Sequence, residues 1–270
     1  VNDPTDRGSM QMIDRFNRKN AALGLAMAAV IAFAPVSNAA LSAYSQDFEG
    51  MDQLDPNVLG NDGWLVFGNV SFSGALLYQY GPFPAPNGCL IGAAAFSCVT
   101  IGEGGAAQGT QQLVVFSDYQ NTDHGIGNTI ESNVFQEQTI GAGDVGKTMQ
   151  FSFDAKLGDI GGNSTASAFI KTLDPNNGYA LTNFIEFDTT SIPITWGTFS
   201  LNIAIDAGLN GQLLQFGFLN EASFYESSGV VYDNVCFDEA GGCGVVPVPA
   251  AVWLFGSALG LLGWIRRKAT

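Results

Sequence analysis

Thr148-Met149-Gln150-Phe151-Ser152-Phe153-Asp154-Ala155 sets the period of this chain at two. Met149, Phe151, Phe153 and Ala155 fall on one side of an extended backbone, and Gln150, Ser152 and Asp154 fall on the other. Side chains of a strand alternate between faces, so the pattern is a strand with one face on a core. The segment leading into it, Gly141-Ala142-Gly143-Asp144-Val145-Gly146-Lys147-Thr148, fits the phosphate-loop pattern G-x-x-x-x-G-K-T at every position. That loop needs a helix after it, so that the helix N-terminus faces the phosphates. Here a strand follows at once, and the segment reads as a Gly-rich turn.

The same period recurs on both sides. Phe199, Leu201, Ile203 and Ile205 alternate with Ser200, Asn202 and Ala204, and Leu214, Phe216 and Phe218 alternate with Gln215 and Gly217. Further strands are expected at 44–49, 64–72, 76–80, 112–117, 132–139, 166–173, 183–188 and 230–237. Turn residues separate them, at Asn61-Asp62-Gly63, Gly161-Gly162-Asn163 and Asp174-Pro175-Asn176-Asn177-Gly178. No stretch between Ala40 and Val246 shows a helical period, and Gly81–Gly109, rich in Gly, Ala and Pro, reads as a long loop. About eleven short strands predict an all-β fold, an antiparallel two-sheet β-sandwich of jelly-roll type.

Charge divides the chain into three parts. Seven of the ten cations lie at the ends, as Arg7, Arg15, Arg18, Lys19, Arg266, Arg267 and Lys268. Between Ala40 and Val246 only Lys147, Lys156 and Lys171 stand against 22 acids, a net charge of −19. Nucleic acid is excluded as a partner, because phosphate contacts need Lys and Arg. Divalent cations and neutral ligands suit such a surface, which also serves simply to keep an extracellular protein soluble.

The first 39 residues read as an over-called start followed by a secretory signal. Val1–Gln11 has no pattern; from Met12, Arg15, Arg18 and Lys19 precede the apolar run Ala21–Ala34, and Ser37-Asn38-Ala39 offers small residues to a signal peptidase. The mature β domain then covers 40–244. Its four cysteines allow three pairings. Cys89 with Cys98 and Cys236 with Cys243 is the expected one, since each closes a short loop in an oxidising space.

The lone His124, in Asp123-His124-Gly125, lacks any G-x-S-x-G elbow as a partner and reads as a loop or surface residue. A two-carboxylate hydrolase is open on residue types, yet no pair stands out. A more specific constellation joins the ends of the domain. Asp47-Phe48-Glu49 lies on the first strand and Tyr232-Asp233-Asn234-Val235 on the last, where Asp233 is in phase with Val231, Val235 and Phe237. A carboxylate on an apolar face is costly unless paired. Either a hard cation held by Glu49 and Asp233 resolves that cost, or Asp233 caps a turn at a frayed strand end.

Taken together, Asp47-Phe48-Glu49, Gly63-Trp64, Gly146-Lys147-Thr148 into Phe151–Lys156, Thr195-Trp196 into Phe199, and Val231–Val235 resemble galactose-binding-like and carbohydrate-binding-module jelly rolls. The resemblance implies a non-catalytic domain that binds polysaccharide. It also implies a structural Ca2+ bridging the first and last strands, with Glu49 and Asp233 as ligands and Asp47 as a third candidate. Ligand residues do not carry over. Tyr78, Tyr80 and Phe83 are either an aromatic platform for sugar C–H faces or ordinary strand and loop aromatics, and Trp64 and Trp196 are expected in the core.

The last stretch is similar to the PEP-CTERM sorting signals of Gram-negative bacteria. Val246-Pro247-Val248-Pro249-Ala250 matches the variant written Val-Pro-Leu-Pro-Ala with Val248 in place of Leu. An apolar run to Ile265 and the basic end Arg266-Arg267-Lys268 complete the pattern over 245–270. The resemblance implies an exosortase-type processing enzyme as a partner, a transient transmembrane helix in the inner membrane, and release to the cell surface or extracellular matrix. A simple C-terminal anchor is the alternative, and the basic end obeys the positive-inside rule. A purely structural matrix role remains beside glycan binding and hydrolysis.

Overall fold

A computed structural model describes residues 40–89 and 95–243. The expected signal segment, the Pro motif, the transmembrane helix and the basic end lie outside the described residues. Among those described, no helix is long and apolar enough to cross a membrane.

Twelve strands run in the order β1 Tyr44–Gln46, β2 Leu65–Phe72, β3 Ala75–Pro84, β4 Ser97–Ile101, β5 Gln111–Val115, β6 Thr129–Thr139, β7 Thr148–Ile160, β8 Thr165–Asp174, β9 Ala180–Asp188, β10 Gly197–Ala204, β11 Leu213–Ala222 and β12 Ser228–Glu239. A single α-helical turn, α1 Val58–Asn61, precedes β2. They form two antiparallel sheets of six strands each. Sheet A has the order β10-β7-β12-β5-β4, with β1 also on β12, and sheet B has the order β3-β2-β6-β11-β8-β9. The result is an all-β jelly-roll-type sandwich. Eleven strands lie where the alternation places them. The twelfth, β4, falls inside the stretch read as a long loop. Its Ser97-Cys98-Val99 is buried, and pairing with β5 supplies the hydrogen bonds that five residues of weak pattern do not advertise.

The core lies between the sheets and is aromatic. Phe218 stacks on Tyr232 at 3.6 Å and Phe216 on Phe237 at 4.2 Å, so sheet B meets β12 ring to ring. Phe151 and Phe153 from β7 close on the Phe216 and Phe218 rings at 5.3–5.5 Å. Each such pair adds about 0.5–1.5 kcal/mol to the burial of its rings. Trp64 is fully buried among them. Trp196 is not in this core. It lies half-buried beside the 102–110 loop, where its indole N–H donates to the Glu103 carbonyl. The expectation failed because Trp196 precedes β10, where the chain has not yet turned inward.

The phase of β12 differs from the expectation. Val230 and Tyr232 face the core, and so do Val235 and Phe237. A bulge between Asp233 and Cys236, with Asn234 at φ 46°, inserts the residue that changes the parity. Asp233 therefore shares a face with Val231 and not with Val235 and Phe237. That face is the outer side of sheet A. Both cysteine pairs form locally, Cys89–Cys98 and Cys236–Cys243, and the second clips the end of β12.

Candidate functional sites on the two outer faces

The phosphate-loop look-alike is a short 3-10 turn, Ala142–Asp144, running into β7. Its Asp144 carboxylate accepts from the Leu41 and Gly141 amides at 2.8 and 2.9 Å, and Lys147 closes on it at 3.1 Å. The lysine is spent within its own turn.

His124 is not a surface residue. It is fully buried in a 3-10 turn, Thr122–Ile126, with Nε2 at 3.2 Å from Ser117 Oγ. Ser117 spends its single hydroxyl proton on the Ile130 carbonyl at 2.8 Å. The serine can therefore only accept from the ring, which places the imidazole proton on Nε2 and leaves Nδ1 without a partner. Burial holds the imidazole below its usual pKa. A donor imidazole beside a serine whose proton is engaged is packing, not a nucleophile–base pair.

Asp233 sits on the outer face of sheet A in register with Asp154 of β7. Its residue is fully buried, covered from the side of the 102–110 loop, where Asn234 Nδ2 donates to Ala107 O and to Asp154 Oδ2. Asp154 is well served, since Gln108 Nε2 donates at 2.7 Å and Thr198 Oγ1 at 2.6 Å. Asp233 Oδ1 accepts only from the Asn234 amide, and Oδ2 has no partner among the described residues. Burial first, and then the charges of Asp154, Asp47 and Glu49, push this carboxyl up to about 7 against the Asn234 hydrogen bond.

Glu49 is exposed and already engaged. Its Oε1 accepts from the Thr110 and Gln111 amides and its Oε2 from the Thr110 hydroxyl, at 2.6–2.7 Å. The Gln111 amide, then Thr110, hold its carboxyl below the usual range. Asp47, also exposed, accepts from the Glu49 amide at 3.2 Å. Among the described residues no three His, Cys, Asp or Glu side chains converge closely enough to cage a metal. Of the expected ligands, only Asp233 offers a hard cation an unpartnered buried oxygen, its Oδ2. The neighbour that sequence reasoning missed is Asp154, whose only signal is its position on the polar side of the β7 alternation.

Tyr78, Tyr80 and Phe83 all lie on β3, the edge strand of sheet B. Tyr80 is partly buried over Gly68, and its hydroxyl donates to Asp118 Oδ2 at 2.8 Å. Tyr78 is 42% exposed and its hydroxyl donates to Asp123 at 3.0 Å. Phe83 is 39% exposed and packs edge-on against Phe96 at 5.8 Å. The two tyrosines thus tie β3 to the Asp118–Asp123 loop.

The outer face of sheet B carries a site that the alternation alone did not mark. Phe135 of β6 and Phe169 of β8 flank Gly217 of β11 in one cross-strand row. A Cβ on Gly217 would meet Phe135 Cβ at 2.9 Å, so glycine lets the rows close. Lys171 lies over both rings, 4.6 Å from Phe169 and 5.5 Å from Phe135, and donates to Asn133 Oδ1 at 3.1 Å. Burial lowers its pKa to about 8, against the opposing pull of Glu131 and Glu137. Around it runs a chain of planar polar groups. Gln79 donates to Asn69, Asn69 and Asn133 donate to Glu131, and Gln215 donates to Glu137, at 2.6–2.8 Å. Glu131 stands directly opposite Glu221, whose carboxyl is raised first by burial and then by the charge of Glu131. Phe184, 43% exposed, borders the row from β9. Four strand spacings of about 4.8 Å from β2 to β9 make this surface roughly 19 Å wide.

No family model matches the chain, and no curated relative does. Several solved structures are similar in fold. The enzymatically active domain of bacteriophage CBA120 tailspike protein 4 is 14% identical with a TM-score of 0.38, over 66% of this chain. This chain spans only 19% of that tailspike domain. The CBM22-1 xylan-binding domain of Paenibacillus barcinonensis Xyn10C is 12% identical with a TM-score of 0.38, over 74% of this chain and 96% of that one. The CBM22-2 xylan-binding domain of the same protein is 15% identical with a TM-score of 0.40, over 73% and 99%. At such identities these are likenesses of fold alone, a β-sandwich shared with carbohydrate-binding modules.

Proposed function

We propose that this chain is an exported, non-catalytic surface or matrix protein whose sandwich binds a neutral polysaccharide on the outer face of sheet B. The observation that carries the reading is the exposed Phe184 ring beside the buried row Phe135–Gly217–Phe169 under Lys171, ringed by Asn69, Glu131, Asn133, Glu137 and Gln215. The solvent side of an antiparallel sheet ordinarily needs only scattered polar residues. Here the exposed Phe184 ring stands beside planar amides and carboxylates, the mixture a sugar chain requires, while Phe135 and Phe169 lie buried beneath Lys171 as its floor. Its width suits an elongated ligand, and the net charge of −19 over 40–246 opposes a polyanion.

Delivery belongs to the two ends of the chain. The signal-like start sends the protein across the inner membrane, and an exosortase-type enzyme processes it at Val246–Ala250 after transient anchoring. A hard cation, Ca2+ by its oxygen donors, is held at Asp233, with Asp154, Asp47 and Glu49 supplying the surrounding negative charge. When bound, it would neutralise the orphaned carboxylate and tie the last strand to its neighbours.

The test is affinity electrophoresis of the purified chain through gels containing neutral, cationic or anionic polysaccharides. Neutral glycans are expected to retard the wild type, and Phe184→Ala and Glu131→Ala to lose about tenfold in affinity with the fold intact. No retardation in any gel would leave a structural matrix role. A second reading rests on the opposed pair Glu131 and Glu221, where burial and then the charge of Glu131 raise the Glu221 carboxyl. Paired carboxyls are the apparatus of glycoside hydrolysis. New reducing ends that vanish in Glu221→Gln would select it.

A further inference from the structure

A separate hollow of about 320 Å³ opens near the β7–β8 turn, lined by Phe116, Tyr119, Asp159, Tyr225, Ser227 and Ser228. Its walls are aromatic. Phe116 and Tyr119 are parallel at 5.7 Å, Tyr119 meets His124 at 5.5 Å, and His124 meets Tyr225 at 4.9 Å. Phe224 and Tyr225 are consecutive and both left-handed, at φ 51° and 58°. Bulky side chains rarely adopt that region, and one such residue costs about 1–3 kcal/mol. The strain is held by the Phe224 amide on the His124 carbonyl at 3.1 Å and by the Phe224 ring lying on Gly127. The effect is to leave the Tyr225 ring 47% exposed at the hollow.

The polar inventory narrows the ligand. The Tyr119 hydroxyl bonds to the Glu226 carbonyl at 2.8 Å and to Ser228 Oγ at 2.6 Å, and Ser228 Oγ also accepts from the Ser117 amide. Those groups are consumed internally. Exposed Asp159 is the charge that remains at the rim. The three lysines between Ala40 and Val246 are all engaged elsewhere: Lys147 with Asp144, Lys156 with Glu103 and Lys171 over Phe169. The Tyr225 and Ser227 hydroxyls can orient a ligand, and an anion would meet Asp159. A carboxylate beside aromatic faces is the pairing that attracts an organic cation.

We infer that this hollow binds an organic ammonium group, as carried by an alkylamine or an amino sugar. The inference uses none of the residues of the sheet B surface, so either fails without the other. It is tested by calorimetry and tyrosine ring resonances on the full-length chain in mild detergent, with two matched pairs of probes. Choline is compared with 3,3-dimethyl-1-butanol, its uncharged isostere, and glucosamine with glucose. The charged member of each pair is expected to bind at least about tenfold tighter and to weaken as salt is raised. Asp159→Asn, an exposed change that leaves the core alone, is expected to lose about tenfold for the cations only. Tyr225→Gly, which also relieves the left-handed strain, should abolish binding without lowering stability. Equal binding of charged and neutral partners, no binding of either cation, or no effect of Asp159→Asn would overturn the assignment.

Discussion

Lys171 and Asp233 are both drawn into the outer face of a sheet, and the two are treated in opposite ways. Lys171 on sheet B has a carbonyl oxygen of Asn133 to donate to, two phenyl faces beneath it and two glutamates nearby. Asp233 on sheet A has one amide and an oxygen that meets nothing, among like charges. The first has its hydrogen-bonding needs met, and the second does not. A buried carboxyl without a partner is costly as an anion, and a proton or a bound cation lowers that cost.

The largest expected effect comes from breaking the completed side. Phe169→Ala removes a fully buried ring and the seat of Lys171, and should cost about 3–5 kcal/mol in denaturant unfolding. Next is completion of the other side. Ca2+ at about a hundredfold over its dissociation constant should stabilise by about 2.7 kcal/mol, or roughly 5–10 °C in Tm. Chelator should reverse the gain, and Asp233→Ala should be indifferent to both. An unchanged Tm of the wild type with Ca2+ and with chelator would remove the cation from the account.

The smaller effects are in pH. Asp233 has a folded pKa of about 7, above its ordinary 3.8, so the folded state holds the extra proton between those values. In chelator, stability should therefore fall as pH rises from about 4 to 7, and Asp233→Asn should flatten that slope. Lys171 has the reverse sense. Its folded pKa of about 8 lies below 10.5, so stability should rise between those values, and Lys171→Met should abolish the rise while changing stability little at neutral pH. Glu49→Gln is expected to change least, because that side chain is exposed and clasps only the Thr110–Gln111 turn.

Much of the fold could be read from alternation. The strands around Phe151, Leu201 and Phe216 announce themselves because one apolar face repeats every second residue. β4 did not, because Gly and Ala precede it and pairing, not pattern, makes it a strand. His124 was misread because its burial comes from Tyr119 and Tyr225, far from it in pattern though packed upon it. Asp154 and the Phe135–Phe169 row were invisible for a related reason. Alternation says which residues share a face, but not which residues lie across from them.

By itself, the amino-acid sequence determined the all-β class, the positions of eleven strands and the scarcity of cations between Ala40 and Val246. These are properties of neighbours along the chain. Tertiary structure alone decided which sheet each strand joined, where β12 changed phase at Asp233–Asn234, and which outer-face groups were covered. Those outcomes depend on register between strands such as β7 and β12, which are far apart in the sequence. A single bulge there moves every later side chain to the opposite face.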